Sequence, residues 1–393
     1  MNIVSECKAY EKELIELRRA LHKVPEIGGA LPKTRKIVCE YLDEIGVPYR
    51  LNPEDDGLVA DIVGGREGKT IAFRADMDAL HVQEETGLDF ASEIPGQMHG
   101  CGHDAHTATL LIAAKILNEN KEHFRGRVRL LFQSGEETGS GAKIMIGLGA
   151  LEGVDAICAM HVGNLAGDDH RAGDLIVLPG PVTAGKDKFT FTVFGQGTHS
   201  AFPERGVDPI LIGARIVNAC EEISARELPA GTRAVISFGT FQAGEDHNTI
   251  PKTAVLKGST RVQDDDIRDF IGGRLVAIGE SIATAFRGQC RVEVKKGSRT
   301  VFNDEKLSLC VQDAVAKVLG EDAVVKKISS ALMGSDDFAN YSSKIPGVYF
   351  FLHTNNKEKN IVKTNHNPGF DVDEEVLWKG VVAYVATALN YLK

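Results

Sequence analysis

The segment QMHGCGHDAHTATLL places four side chains that can bind a metal or move a proton within six positions: Cys101, His103, Asp104 and His106. Cysteine and histidine are preferred ligands of zinc-like ions, and two ligands two residues apart in a glycine-containing loop can reach one ion. The pattern therefore predicts that Cys101 and His103 bind a metal, with His106 packed beside them. The alternative interpretation is a helix-capping loop with incidental polar residues.

A second signal is the pair Glu136 and Glu137 in LLFQSGEETGSGA, at the end of an apolar run typical of a strand. Neighbouring side chains at a strand end point in different directions, so one carboxylate can bind a cation while the other faces the water it activates. This division suits hydrolysis. The alternative is a solvated acidic loop.

Further candidates lie at the ends of other apolar runs. Asp76 and Asp78 occur in AFRADMDAL, and His161 occurs in AMHV. Ligands of open α/β sheets gather at the carboxyl ends of the strands, so these residues are predicted to converge with the glutamate pair. Taken singly, each aspartate could cap a helix or form an ion pair, and His161 could be a hydrogen-bonded core residue. His366, in KTNHNPGFDVDEE, read alone is a surface histidine.

The order of predicted elements indicates two domains. Helices over about 8–22 and 33–45 precede strand-like runs and a helical run near 106–117, an alternation that predicts an α/β sheet covered on both faces. Over about 188–295 the order becomes β-α-β-β-α-β, typical of a ferredoxin-like unit. We therefore predict a discontinuous catalytic domain, 1–185 and 299–393, with an inserted domain, 186–298.

The composition restricts the class of protein. The 393 residues suit two compact domains, and the net charge of -10, without a basic cluster, argues against nucleic-acid binding. The charged N-terminus lacks the apolar segment of a secretory leader, and no apolar run reaches the length of a membrane span. The seven cysteines show no disulfide-framework spacing. A cytoplasmic protein acting on a small molecule is expected, without a membrane partner.

With these motifs assembled, the chain resembles the M20 metallopeptidase family, in particular the amidohydrolase branch that includes hippurate hydrolase, auxin-conjugate hydrolases and N-acyl-amino-acid deacylases. The resemblance runs the whole length, through LHKVPEIGG, RADMDAL, MHGCGHDAHTA, FQSGEETGSGA, GTHSAFPERGVDP, NTIP, MGSDDFA and NHNPGFDVDEE. It implies a zinc-exopeptidase-like catalytic domain with a mixed sheet and an inserted lid domain that often forms homodimers.

The resemblance also implies a role for each matching residue. Two divalent ions, of zinc, manganese, cobalt or nickel, are held by Cys101, His103, Glu137, His161 and His366. Glu136 is the general base, Asp78 orients a ligand and supports catalysis, and His199 binds the substrate or the developing oxyanion. Asn248 and Arg261 contact the substrate carboxylate. The chain departs from the family pattern at Asp76, where the wider family has a metal-binding histidine, and at His81, where this branch usually has proline.

The resulting expectation is a metal-dependent amidohydrolase that cleaves the amide bond of N-acyl amino acids. Three alternatives remain open. The first is a dipeptidase or carboxypeptidase with the same site, because only the shape of the pocket separates these substrates. The second is a non-catalytic, metal-dependent binding protein on the same fold. The third is a hydrolase that uses Cys101 as a nucleophile, whose activity would survive a chelator.

Overall fold

The computed structural model describes residues 2–163, 167, 169–329 and 332–393. The chain forms two compact units: unit 1 comprises Met1–Val182 and Val301–Lys393, and unit 2 comprises Thr183–Thr300. The insertion predicted from the change in element order, 186–298, has nearly the same limits. Among the described residues, no helix combines the length and the apolar character needed to cross a membrane.

The strands of the two units range from two to eleven residues in length. In chain order they are β1 (Tyr49–Leu51), β2 (Leu58–Val63), β3 (Arg66–Asp76), β4 (Arg125–Gln133), β5 (Ala156–Gly163), β6 (Leu175–Ile176), β7 (Gly180–Pro181), β8 (Gly185–Phe194), β9 (Thr198–His199), β10 (Ala234–Ala243), β11 (Thr249–Ile250), β12 (Thr253–Val262), β13 (Gln289–Lys296), β14 (Phe302–Asn303), β15 (Val324–Val325) and β16 (Gly347–His353).

The helices vary more in length. In chain order they are α1 (Ile3–Ala9), α2 (Glu11–His22), α3 (Pro32–Glu44), α4 (His103–Glu119), α5 (Gly141–Gly147), α6 (Pro209–Glu222), α7 (Asp265–Ala285), α8 (Glu305–Leu319), α9 (Ala339–Ser342) and α10 (Trp378–Tyr391).

Unit 1 is built on a mixed sheet with the strand order β1-β2-β4-β3-β5-β16-β6-β15. The central strands β4, β3, β5 and β16 are parallel to one another. Parallel central strands are buried on both faces, which explains their apolar runs. Because they are parallel, their carboxyl ends, with Asp76, Gln133 and Gly163, lie along one edge of the sheet. This edge carries the candidate site.

Side chains from the two faces of this sheet enter separate parts of the core. Ile71 and Phe73 of β3 pack in the larger cluster, whereas Ala72 between them packs in the smaller one. This alternation follows from the two-residue repeat of a strand. The larger cluster includes most of α4 and α10, and the smaller cluster includes apolar residues of α5 and α9. The mixed sheet covered on both faces, as predicted, is confirmed.

Unit 2 contains an antiparallel sheet with the order β10-β12-β8-β13. Numbered within the unit, this is the order 2-3-1-4, which is the arrangement expected of the β-α-β-β-α-β pattern. Alternate residues of β8, Phe189 and Phe191, pack in one buried cluster with Ile212 of α6 and Leu275 of α7. The predicted ferredoxin-like fold is therefore present.

One boundary of α4 differs from the prediction in a way that matters for the site. The helix begins at His103 rather than near residue 106, and it follows Gly102, whose φ of 86° is left-handed. Glycine tolerates this conformation because it has no Cβ. His103 and His106 therefore both lie in the first turn of a buried helix rather than in the loop before it.

Candidate metal centre

Five chain segments meet at the carboxyl edge of the unit 1 sheet. The ligand atoms of Cys101, His103 and His161 lie within 4.8 Å of one another, and so do those of Cys101, Glu137 and His366. Cys101 is common to both groups. Sulfur, imidazole nitrogen and carboxylate oxygen are the donor types that zinc-like ions prefer. The two overlapping groups thus offer places for two cations.

The two buried histidines present the nitrogen that a metal needs. Nδ1 of His103 donates to the backbone oxygen of Asp78 at 2.7 Å, and Nδ1 of His161 donates to the backbone oxygen of Val162 at 2.7 Å. Each bond fixes the proton on Nδ1 and leaves the lone pair of Nε2 directed into the site. Both rings are therefore held in the tautomer that coordinates through Nε2.

The glutamate pair is held through its backbone by Asp78. One carboxylate oxygen of Asp78 accepts the N–H of Glu136 at 3.0 Å, and the other accepts the N–H of Glu137 at 3.1 Å. Asp78 is fully buried, so it has no competing contact with water. Asp78 thereby anchors the turn after β4. Its backbone oxygen accepts a bond from Nδ1 of His103, and its carboxylate accepts the backbone N–H groups of both glutamates. The predicted orienting aspartate occupies a position suited to that task.

His366 reaches the site from a loop far along the chain. Its backbone has a left-handed φ of 68°, and its N–H donates to the oxygen of Gly100 at 2.7 Å. Its Nε2 lies 3.3 Å from Oε1 of Glu137. The amide of Asn365 donates to the backbone oxygens of Cys101 and Val162. These contacts place the histidine beside the Cys101 loop, a position that its local sequence does not reveal.

The donor set fits a cation on evidence from the structure itself. Within the described part of the chain, two buried atoms of the site have no hydrogen-bond partner. They are Nε2 of His103 and Oε1 of Glu137. Buried polar atoms usually have a hydrogen-bond partner or bind an ion, so these two atoms suit a cation site. A divalent cation would satisfy both, together with the sulfur of Cys101.

Burial controls the protonation of the site. It raises the pKa of the Cys101 thiol well above its usual range, so the sulfur carries a proton until a cation replaces it. Burial also raises the pKa of Glu136 well above its usual range, and the carboxylates of Asp336 and Asp337 raise it further. A carboxylate whose pKa is raised towards the working pH is a stronger proton acceptor.

His106 and Asp76 are arranged to support the site rather than to bind a metal. The N–H of Val162 donates to Nε2 of His106 at 2.9 Å, so the ring proton lies on Nδ1, which donates to Asp76 at 2.6 Å. Both ring nitrogens are thus occupied. Asp76 also accepts a bond from Arg74 at 2.7 Å. At position 76, where the wider family has a metal-binding histidine, this chain therefore has an aspartate in a buried ion pair with Arg74.

Three further residues beside the site, Arg74, Asp336 and Asp337, had no role predicted from the sequence. Their segments, RADMDAL and MGSDDFA, contributed to the family resemblance, but no role was assigned to these three residues. All are buried close to Glu136 or Asp76. The available signal was an arginine inside an apolar strand, because a buried arginine requires buried carboxylates as partners.

The residues predicted to bind substrate lie in unit 2. His199 pairs with Thr249 between β9 and β11, and the N–H of Ser200 donates to the backbone oxygen of Asn248. His199 and Asn248 are thus neighbours. Arg261 lies at the far end of β12 from Thr253, roughly 26 Å along the strand at 3.3 Å per residue. The contact of Asn248 and Arg261 with the substrate carboxylate stays a prediction.

His81, which replaces the proline usual in the branch, is exposed in the loop after Asp78. The structure gives this substitution no contact that explains it.

Comparisons with known proteins agree with the geometry. Residues 72–390 match the model of Peptidase family M20/M25/M40. The chain is 36% identical over 395 residues to thermostable carboxypeptidase 1 of Saccharolobus solfataricus, covering 98% of this chain and 97% of that protein. It is also 36% identical over 370 residues to N-acetyl-L-cysteine deacetylase of Bacillus subtilis, covering 94% and 86%.

Among solved structures, a Bacillus subtilis protein described as a dinuclear metal binding peptidase from the M20 family superposes with a TM-score of 0.85. It is 32% identical in sequence, and the match covers 98% of this chain and 99% of that one.

Proposed function

This chain belongs to peptidase family M20/M25/M40 and is a metal-dependent amidohydrolase or peptidase, and on that premise we propose that it hydrolyses the amide bond of N-acyl amino acids. The observation that carries the proposal is the position of Glu136. Its carboxylate lies within 4.8 Å of the ligand atoms of His103 and Glu137, yet it is not needed in either group built around Cys101. A spare carboxylate beside metal ligands suits a general base.

Five side chains would hold the cations: Cys101, His103, Glu137, His161 and His366. When bound, divalent cations supply Lewis-acid chemistry, which polarises the amide carbonyl and makes water more acidic. A dinuclear site is supported by the solved M20 structure described as dinuclear and by the two ligand groups that share Cys101. Thiolate and imidazole donors favour zinc, cobalt or nickel over magnesium or calcium, and the carboxylate of Glu137 also suits manganese.

Glu136 would move the proton. As the oxygen of water bonds to the carbonyl carbon, the carboxylate of Glu136 accepts the proton that this oxygen releases. When the carbon–nitrogen bond breaks, Glu136 returns the proton to the leaving amine, so one residue acts first as base and then as acid. Its raised pKa and the N–H of Asp337, which donates to Oε1 at 3.2 Å, suit this role.

The residues around Glu136 prepare the site before substrate arrives. Asp78 holds both glutamate backbones, and the Nδ1 bonds of His103 and His161 keep their coordinating nitrogens directed inward. Such preorganisation reduces the rearrangement needed during reaction. His199 is proposed to bind the substrate or to stabilise the developing oxyanion, and unit 2 is proposed to act as a lid and as the interface of a homodimer.

A carboxypeptidase or dipeptidase is the second candidate. It is favoured by the 36% identity to thermostable carboxypeptidase 1, which equals the identity to the deacetylase. The same catalytic groups can cleave either amide, so the pocket for the acyl side decides between them. A metal-dependent binding protein without activity remains less suited to this site, because it would not need Glu136 beside the ligands.

The test is a substrate panel assayed with the purified protein. N-acetyl and N-benzoyl amino acids, dipeptides and longer peptides would be compared after loading with zinc, manganese, cobalt or nickel, and again after chelation. We expect the highest kcat/KM for an N-acyl amino acid, loss of activity with the chelator and recovery when metal is restored. Higher kcat/KM for peptides would favour the carboxypeptidase. Activity that survives complete metal removal would contradict the proposed mechanism.

A further inference from the structure

Arg74 of β3 is a buried arginine whose side chain contacts two aspartates of the candidate site, Asp76 and Asp337. Its guanidinium is only 1% exposed, and each of its nitrogens has a partner. Nε donates to Oε1 of Gln133 at 3.0 Å, one terminal nitrogen donates to Asp76 at 2.7 Å, and the other donates to Asp337 at 3.0 Å. The second terminal nitrogen also lies 3.3 Å from Asp336.

One set of contacts leads from Arg74 to the metal-binding strand. One carboxylate oxygen of Asp76 accepts a hydrogen bond from the guanidinium of Arg74, and the other accepts one from Nδ1 of His106. His106 then accepts the N–H of Val162, the residue that follows His161 on β5. The backbone oxygen of Val162 also accepts a bond from Nδ1 of His161. The position of this strand end therefore sets the direction of Nε2 of His161, the proposed ligand atom. Arg74 thus acts on His161 through two intermediate side chains.

A second set of contacts leads from Arg74 to the proposed general base. Asp337 accepts from Arg74 and from the amide of Gln133 on one oxygen, and from the N–H of Ala142 on the other. With its carboxylate held by three donors, its backbone is fixed, and its own N–H donates to Oε1 of Glu136 at 3.2 Å. Gln133, the last residue of β4, is held by the same guanidinium.

We propose that Arg74 is a positioning residue of the hydrolytic site, which sets the orientation of Glu136 through Asp337 and that of His161 through Asp76 and His106. The inference rests on the proposed function, because it assigns the coupled groups to the base and the metal ligands. A planar guanidinium suits this task, since its donors lie in one rigid fork that can hold separate carboxylates at fixed angles. A lysine carries the same charge without that fork.

The alternative is that these contacts only stabilise the fold. A buried cation among three aspartates does contribute to folding, and breaking such a cluster leaves uncompensated charge. The two roles differ in what a variant changes. A stabilising contact alters the fraction of folded protein, whereas a positioning contact alters the turnover or the metal environment of the protein that remains folded.

The experiment compares three variants with a matched control. D337N disturbs the contacts that lead to Glu136, H106N keeps a donor for Asp76 but loses the acceptor for Val162, and R74K retains the charge without the fork. The control is Y384F, because the hydroxyl of Tyr384 bonds to the backbone of Arg74 and Met160 but to no carboxylate of this cluster. For each variant kcat, KM, bound metal, the absorption spectrum of the cobalt-loaded protein and the unfolding transition are measured.

We expect a different signature from each variant. D337N should lower kcat by about 10- to 100-fold, with KM within about threefold and the cobalt spectrum unchanged, because a misplaced base acts mainly on turnover. H106N should alter the cobalt spectrum and weaken metal binding by about 10-fold or more. R74K should show both effects. Y384F should lower stability while kcat per folded, metal-loaded molecule and the spectrum match the parent.

The inference is overturned if folded R74K keeps the parent turnover and cobalt spectrum, or if D337N and H106N, corrected for the folded fraction, keep them as Y384F does. Should R74K fail to fold, these two variants alone decide the matter. Failure of the proposed function would look different, because the parent protein itself would then hydrolyse neither N-acyl amino acids nor peptides. If the parent prefers peptides, the same comparison is made with the preferred peptide.

Discussion

The sulfur of Cys101 lies 3.4 Å from Nε2 of His161, although 60 residues separate them along the chain. Two such donors bound tetrahedrally to one zinc-like ion, at about 2.3 Å for sulfur and about 2.0 Å for nitrogen, would be roughly 3.5 Å apart. The observed separation therefore suits a shared cation without any movement of either side chain.

Replacing Cys101 by serine should weaken metal binding by at least about tenfold, because the strongest soft donor of both ligand groups is lost. The raised pKa of the buried thiol means that metal binding releases its proton, so the affinity of the parent should fall as the pH is lowered. This pH dependence should be smaller in C101S. Competition with a chelator at two pH values measures both effects, and C39S is the control. Equal affinities for C101S and the parent would contradict the proposed role.

Replacing Glu136 by glutamine should lower kcat by about 10²- to 10⁴-fold, because an amide of the same shape cannot accept the proton of the attacking water. Metal content and the unfolding transition should stay close to those of the parent. The comparison variant is E137Q, for which bound metal itself should decrease. The assignment of the base is refuted if E136Q turns over at a near-normal rate.

Asp78 should be sensitive to a change as small as asparagine. Its two oxygens accept the N–H groups of Glu136 and Glu137, and an asparagine amide would direct N–H against one of these donors. An unsatisfied buried group costs about 1–3 kcal/mol, so the free energy of unfolding should fall by that amount and kcat should fall with it. Urea denaturation of the chelated protein and steady-state kinetics measure the two effects.

The control for this prediction is D208N. Asp208 also accepts two backbone N–H groups, from Ile210 and Leu211, but at the exposed start of α6. Asparagine is nearly as good as aspartate at such a position, so little change in stability is expected. If D78N behaves like D208N, the carboxylate of Asp78 does not anchor the glutamate turn.

Gly102 should not tolerate a side chain. Its φ of 86° is left-handed, and a Cβ there would lie 2.5 Å from Cγ2 of Val162. Gly96 has a similar φ of 74°, but no described atom lies within 4 Å of its Cβ position. G96A should therefore cost about 1–2 kcal/mol of stability from backbone strain alone. G102A should cost more and should also weaken metal binding, because it displaces Cys101 or His103. Equal effects of the two variants, measured by denaturation and metal titration, would refute this.

His22 should make stability depend on pH. Burial lowers its pKa, but the carboxylates of Asp104 and Glu84, which face its two nitrogens, raise it more, so the net pKa lies above 6.5. Protonated His22 thus stabilises the fold fully below the unfolded value, and this contribution is lost as the pH rises through the folded pKa. H22Q should therefore be more destabilising at about pH 5.5 than at about pH 9.

Denaturation of metal-free protein at both pH values checks this prediction, since metal binding then does not contribute. H123Q, which changes an exposed histidine, is the control. A loss of stability in H22Q that is the same at both pH values would show that folding does not shift the pKa of His22, which contradicts the prediction.

Much of the fold could be predicted because it depends on local patterns. The apolar runs of β3, β4 and β5, and the β-α-β-β-α-β order of unit 2, follow from periodicity within short segments. The proximity of Cys101 to His103 also follows from spacing alone, as does the place of Glu136 and Glu137 at a strand end. These features need only the geometry of one strand or one turn.

The remaining features depend on contacts between distant segments. Its own sequence predicts that His366 is a surface histidine, and contacts with distant segments, such as the bond from its backbone to Gly100 and the bond from Asn365 to Cys101, bring it to the Cys101 loop. Whether His106 binds a metal or supports His161 depends on Val162, whose N–H occupies its Nε2. The tautomer of a histidine and the partner of a buried arginine are set by whichever groups packing places beside them. Spacing along the chain carries no information about those groups, because they belong to other strands and loops.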